Sequence, residues 1–240
     1  MVFKTPVISF RNEEGSFRLY RDNNELKTPA QYVLAVPTQA LAEAIAEEFR
    51  TQGSKMDLRK MPLTQMTLTA IDVAGPQRAA LLDGLMRYGQ TELVCQRALD
   101  PAGLVAEQNK IWQPYLDWCK NRFRADLRTG SGIVPFDQRP EALAALQSAL
   151  EEFDAFTLTG VSEACKTLGS LVLALALVEG RASVKEAVEA SELDSLWQTK
   201  TWGDDPVSQK RYNDIHRDLE VCATWFVLIK KNQGTESSAP

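Results

Sequence analysis

The residues best placed to do chemistry lie in Leu193–Asp205, which reads LDSLWQTKTWGDD. Asp194 and Asp204 are two carboxylates that could act as general acid and general base, which would make a hydrolase-like enzyme. No other catalytic group accompanies them. Trp197, Gln198, Trp202 and Gly203, with Asp204 and Asp205, also have the composition of a protein-binding hot spot: broad aromatic area beside polar groups. A plainer reading makes Trp197 a core residue, Gly203 a helix C-cap and Asp205 the N-cap of a helix opened by Pro206.

Elsewhere the chemistry is sparse. The single histidine, His216, sits between carboxylates in Asp214-Ile215-His216-Arg217-Asp218 and reads as a surface residue. Cys95, Cys119, Cys165 and Cys222 are scattered, with no CxxC and no companion histidines. That spacing speaks against zinc and against a disulfide framework, and fits a reducing compartment. No P-loop, Rossmann glycine pattern or GxSxG is present. No cofactor and no metal is therefore expected.

The elements that must position these residues centre on Leu168–Val178, LGSLVLALALV, apolar on every side of a helical wheel. Such a helix needs burial all round, and the run is shorter than the roughly 20 residues of a membrane span. It reads as the central helix of an all-α core, with Gly169-Ser170 inside it allowing close packing. Ser183-x-x-Glu186 has capping-box spacing and opens a helix through Trp197. Pro140 opens another, and Asp100-Pro101 and Asp205-Pro206 are helix-start signals. Pro114 should bend or split the helix that follows Asp100.

Residues 1–72 differ in kind. Val7–Phe10, Phe17–Tyr20 and Tyr32–Val36 are short β-prone runs separated by turn residues. A helix with Thr38 as N-cap and Leu41, Ala44, Ile45 and Phe49 on one face should cover the resulting antiparallel sheet. The fold expected is α+β: a small β-rich N-terminal domain (1–72), a larger all-α helical bundle domain (73–231) and a disordered tail (232–240). Leu127–Phe136 interrupts the helices as a loop or as an extended pair returning to the sheet.

The formal net charge of −5 over 240 residues and a pI near 5.1 leave no basic footprint for nucleic acid. No membrane insertion is expected. The N-terminus shows neither a signal-peptide nor a transit pattern, which suggests a bacterial cytoplasm, or the mitochondrial matrix for a trimmed eukaryotic form.

Leu193-Asp194, Trp197-Gln198 and Trp202-Gly203 also carry a resemblance. Together with Thr28-Pro29-Ala30, Pro37-Thr38, Met61-Pro62-Leu63-Thr64, Thr69-Ala70-Ile71-Asp72 and Gly169-Ser170, they recur in the order seen in one family. The chain resembles the assembly chaperones that bind the α subunit of the F₁ sector of ATP synthase, from about Phe17 to Phe226. Relatives tend to have aspartate-glycine-arginine where this chain has Asp22-Asn23-Asn24. They also carry a functional acidic residue after tryptophan-glycine, where Asp204 and Asp205 both stand. The resemblance implies a two-domain, non-enzymatic protein, expected to be a monomer, that shields the free α subunit until the hexamer forms. Its partner-binding residues would be Asp194, Trp197, Gln198, Trp202, Gly203, Asp204 and Asp205. The alternatives are the paired-carboxylate enzyme and a scaffold for another partner.

Overall fold

The structure, a computed structural model, describes residues 8–52, 56–132, 136–203 and 206–230. Asp204, Asp205 and the tail expected to be disordered lie outside them. The chain divides into two compact units: residues 1–76 with 155–159 and 224–240, and residues 77–154 with 160–223.

In the first unit, β1 (Ile8–Glu13), β2 (Ser16–Arg21), β3 (Asn24–Glu25) and β4 (Ala35–Val36) form the antiparallel sheet that the alternating runs require. The central strand β2 pairs with the other three, in a register fixed at Ile8↔Arg21 and Glu13↔Ser16. Asp22 and Asn23 both take positive φ, 50° and 66°. Two such residues in a row make the turn whose twist suits a two-residue hairpin, and Asp and Asn tolerate it.

Helix α1 (Gln39–Gln52) begins where Thr38 Oγ1 accepts the amide of Leu41 at 3.1 Å. It buries Leu41, Ala42, Ile45 and Ala46 against β1 and β2, whereas the expected Ala44 and Phe49 lie only half-buried at its flank. Helix α2 (Pro62–Thr69) starts on the Glu48 carboxylate, which accepts from the Leu63 and Thr64 amides, both at 2.8 Å. A π-helical turn, Ala70–Ala74, follows. The same unit takes in Phe156 and Trp225, whose rings stack 5.8 Å apart. The Trp225 indole donates to the Phe156 carbonyl at 3.0 Å.

The second unit is helical: α3 (Arg78–Gln90), α4 (Ala102–Phe123), α5 (Pro140–Glu151), α6 (Ala155–Leu168), α7 (Leu171–Val178), α8 (Val184–Ser191), α9 (Leu193–Trp202) and α10 (Pro206–Ile229). The first turn of α6 and the end of α10 count with the first unit. All eight residues of α7 are buried, among α3, α4 and α8, as an all-apolar helix demands. The Ser183–Glu186 capping box closes reciprocally at the start of α8, and Pro140 occupies the first turn of α5.

Several expectations are corrected or narrowed. The run Leu168–Val178 is not one helix. Gly169 turns left-handed at φ 66°, and Ser170 caps a new helix by accepting the Leu173 amide. Asp100 makes no cap: Pro101 is the N-cap residue of α4, after a cis Asp100-Pro101 bond and without a side-chain hydrogen bond. Pro114 leaves α4 unsplit. The stretch after Leu127 does not return to the N-terminal sheet. Its strand β6 (Gly130–Ser131) pairs in parallel with β5 (Gln96–Arg97) inside the second unit. The helix expected through Trp197 also breaks, at Glu192, so that Trp197 belongs to α9.

Helix α7 carries a feature with no local sequence signal. Glu92, at 0% exposure, points its carboxylate at the free end of that helix. It accepts from the Leu171 amide at 2.9 Å, the Val172 amide at 3.1 Å and the Ser170 hydroxyl, and also from its own neighbour Val94 at 3.3 Å. Helix N-termini present unpaired N–H groups and a partial positive charge, which a carboxylate answers on both counts. Burial raises the Glu92 carboxyl above the usual carboxylate range, against the opposing pull of those donors.

Candidate functional site

Helix α9 holds most of the residues singled out by the sequence, and its neighbours fix it at three points. At its start the buried Glu192 side chain accepts from Arg211 of α10 at 2.9 Å, and Leu193 is the helix's one buried residue. Next, the Asp194 carboxylate accepts from Gln108 Nε2 of α4 at 2.8 Å, and Gln108 Oε1 in turn accepts the Ala98 amide at 2.8 Å. Gln108 is 1% exposed, so the relay reaches from the interior out to the exposed Asp194. Further along, the half-buried Trp197 ring lies on α4 at Gly103. A Cβ there would come within 2.8 Å of Trp197 Cη2, so only glycine leaves room for the ring.

Beyond these anchors the helix faces water. Gln198 is exposed, and Trp202 is 78% exposed at the last turn. Gly203 ends the helix at φ 98°, donating its amide to the Thr199 carbonyl at 2.9 Å. An indole this open is unusual for a residue that normally seeks burial. Val207, at the start of α10, is 74% exposed close by in sequence. The site therefore ends in apolar surface held out on a fixed helix, the form of an interface anchor.

The other chemistry-bearing side chains lie apart from one another among the described residues. Asp194 accepts from Gln108 through Oδ1 alone, and its expected partner Asp204 lies outside the described residues, as does Asp205. His216 is half-buried on α10 with its Nδ1 3.5 Å from Glu220, one turn along the same helix. Among the described residues no three His, Cys, Asp or Glu side chains come together to hold a metal ion. All four cysteines are buried, and burial drives their thiols up, Cys119 and Cys222 to about 12, so none is a ready nucleophile. No helix among the described residues is long and apolar enough to cross a membrane.

The structure thus brings Asp194, Trp197, Gln198, Trp202 and Gly203 onto one helix and its cap. The sequence reading missed Gln108 and Gly103, which position two of them from α4. Neither gave a signal, because each acts across some 90 residues of chain.

The chain is similar to known proteins over most of its length. The family model of the ATP12 chaperone protein matches residues 2–120. The structure of an aspartate-to-lysine mutant of Atp12p from Paracoccus denitrificans is 32% identical. It superposes with a TM-score of 0.88 over 93% of this chain and 95% of its own. Unmutated Atp12 of the same organism is 33% identical, with a TM-score of 0.87 over 93% and 96% of the two chains. A candidate chaperone from Agrobacterium tumefaciens is 31% identical, with a TM-score of 0.86 over 95% and 85%.

Proposed function

The chain belongs to the ATP12 chaperone family, whose role is assembly of the F₁ sector of ATP synthase, and on that premise we propose that it holds the free α subunit and covers the surface a β subunit later occupies. The observation that carries this reading is Trp202: a 78% exposed indole at the end of a helix held at Glu192, Asp194 and Trp197 by Arg211, Gln108 and the space at Gly103. A ring subunit kept apart from its neighbours exposes a large apolar interface and tends to associate wrongly. A rigid helix presenting an aromatic anchor beside carboxylates suits the task of covering it. Asp194, Trp197, Gln198, Trp202, Gly203, Asp204 and Asp205 form the contact region in this proposal. Trp197 and Asp194 serve chiefly to position it, and the chaperone acts as a monomer without a catalytic step.

The test is suppression of aggregation of isolated α subunit by stoichiometric chaperone, with circular dichroism of each variant. Trp202→Ala and Asp204→Lys should melt like the parent and lose protection. Truncation of a central aromatic anchor costs at least about 2 kcal/mol, roughly thirtyfold in affinity, and a reversed charge turns attraction into repulsion. If both variants protect the α subunit as well as the parent does, the contact surface lies elsewhere.

A further inference from the structure

Beside Asp194, and joined to it through Gln108, is a groove of about 580 Å³ in the helical unit, a size typical of ligand sites. Arg97, at 6% exposure, lies along its floor. Its Nε donates to Asn109 at 2.9 Å, its Nη1 donates to the Val94 carbonyl, and its guanidinium lies over the Trp112 ring at 5.2 Å. Nη2 is buried and has no acceptor. Leaving such a donor unpaired is costly. The walls are apolar at Leu93, Trp112 and Leu99, the last 69% exposed at the mouth and lying against Gly132. Asp100 and Asp194 supply the acceptors.

We infer that this groove receives an extended, apolar segment of the client subunit, one of whose backbone carbonyls accepts from Arg97 Nη2 while its amides face Asp100 and Asp194. The inference rests on the reading above that the chain holds an F₁ subunit, and it names a second contact for it. The chemistry selects the occupant. A bound carboxylate would meet two carboxylates, and a bound ammonium would meet the guanidinium. A peptide group carries an acceptor next to a donor and matches both. The groove also continues the proposed contact region, since Asp194 belongs to each. Because Nη2 is covered in the free chain, the segment reaches it by displacing lining side chains, of which Leu99 is the most exposed.

The experiment uses overlapping synthetic peptides covering the F₁ α and β sequences on separate arrays, probed with the full-length chain and two variants. Arg97→Lys keeps the charge and removes Nη2. Leu99→Glu leaves the buried network untouched, places a carboxylate at the mouth and removes part of the apolar wall, so the test survives if Arg97→Lys fails to fold. The expected result is a small set of apolar peptides bound by the parent and weakened at least tenfold by each folded variant. Their origin in α supports both readings, whereas origin in β keeps the groove and sinks the choice of α. No bound peptide, or peptides held equally by parent and Leu99→Glu, overturns the inference.

Discussion

Replacing Glu92 by alanine removes an acceptor that serves α7 from outside its own stretch of chain, and the structure sets the size of the effect. Two buried helix-end amides, Leu171 and Val172, lose their partner at 2.9 and 3.1 Å, and the Ser170 hydroxyl loses a third bond. A buried donor left unpaired costs about 1–3 kcal/mol, so the two amides together represent about 2–6 kcal/mol. Part of this is offset, because the variant no longer buries a carboxylate. A net loss of about 2–4 kcal/mol remains, which in a chain of this size corresponds to about 4–16 °C in melting temperature. Thermal unfolding followed by circular dichroism measures it, with Lys185→Ala, whose side chain is 73% exposed, as the control. A Glu92→Ala protein melting within 2 °C of the parent would refute the assignment of Glu92 as the cap of α7.

Two further outcomes follow from the same contacts. Gly103→Ala gains helix propensity of up to about 1 kcal/mol, yet pushes a Cβ within 2.8 Å of Trp197. The melting temperature should therefore change little while the Trp197 indole resonance moves and α-subunit capture falls; an unmoved resonance would show that the ring is not seated on Gly103. The thiols should be inert in the folded state. With Cys119 and Cys222 titrating at about 12, about one in ten thousand of each is thiolate at pH 8. A thiol reagent should thus label none of the four until denaturant is added, and stoichiometric labelling of native protein would contradict the burial.

Much of the architecture was legible because it is set locally. The β-prone runs, the Asp22–Asn23 turn, the Thr38 cap and the Ser183–Glu186 box each depend on residues within a few positions of one another. The misreadings share an opposite cause. Gly169 and Ser170 look like small residues inside an apolar helix until Glu92, nearly 80 positions earlier, supplies the acceptor for a helix that starts there. The stretch after Leu127 pairs with Gln96–Arg97, a partner that no alternation in its own sequence specifies. At the candidate site the motif residues were visible as types, but their division of labour was not. Which tryptophan is seated and which is offered to solvent depends on Gly103, in a different helix.

The membership of the first unit bears on how the protein is made. Thr38, which starts α1, donates its hydroxyl to the carbonyl of Leu228, and the Phe156–Trp225 stack belongs to the same unit as the sheet. A ribosome therefore delivers the strands some 200 residues before the segment that completes their unit. Until the end of α10 has emerged, the nascent N-terminal sheet lacks part of its own interior, and a stop codon shortly before Thr224 would harm the sheet some 200 residues upstream as surely as the helix it truncates.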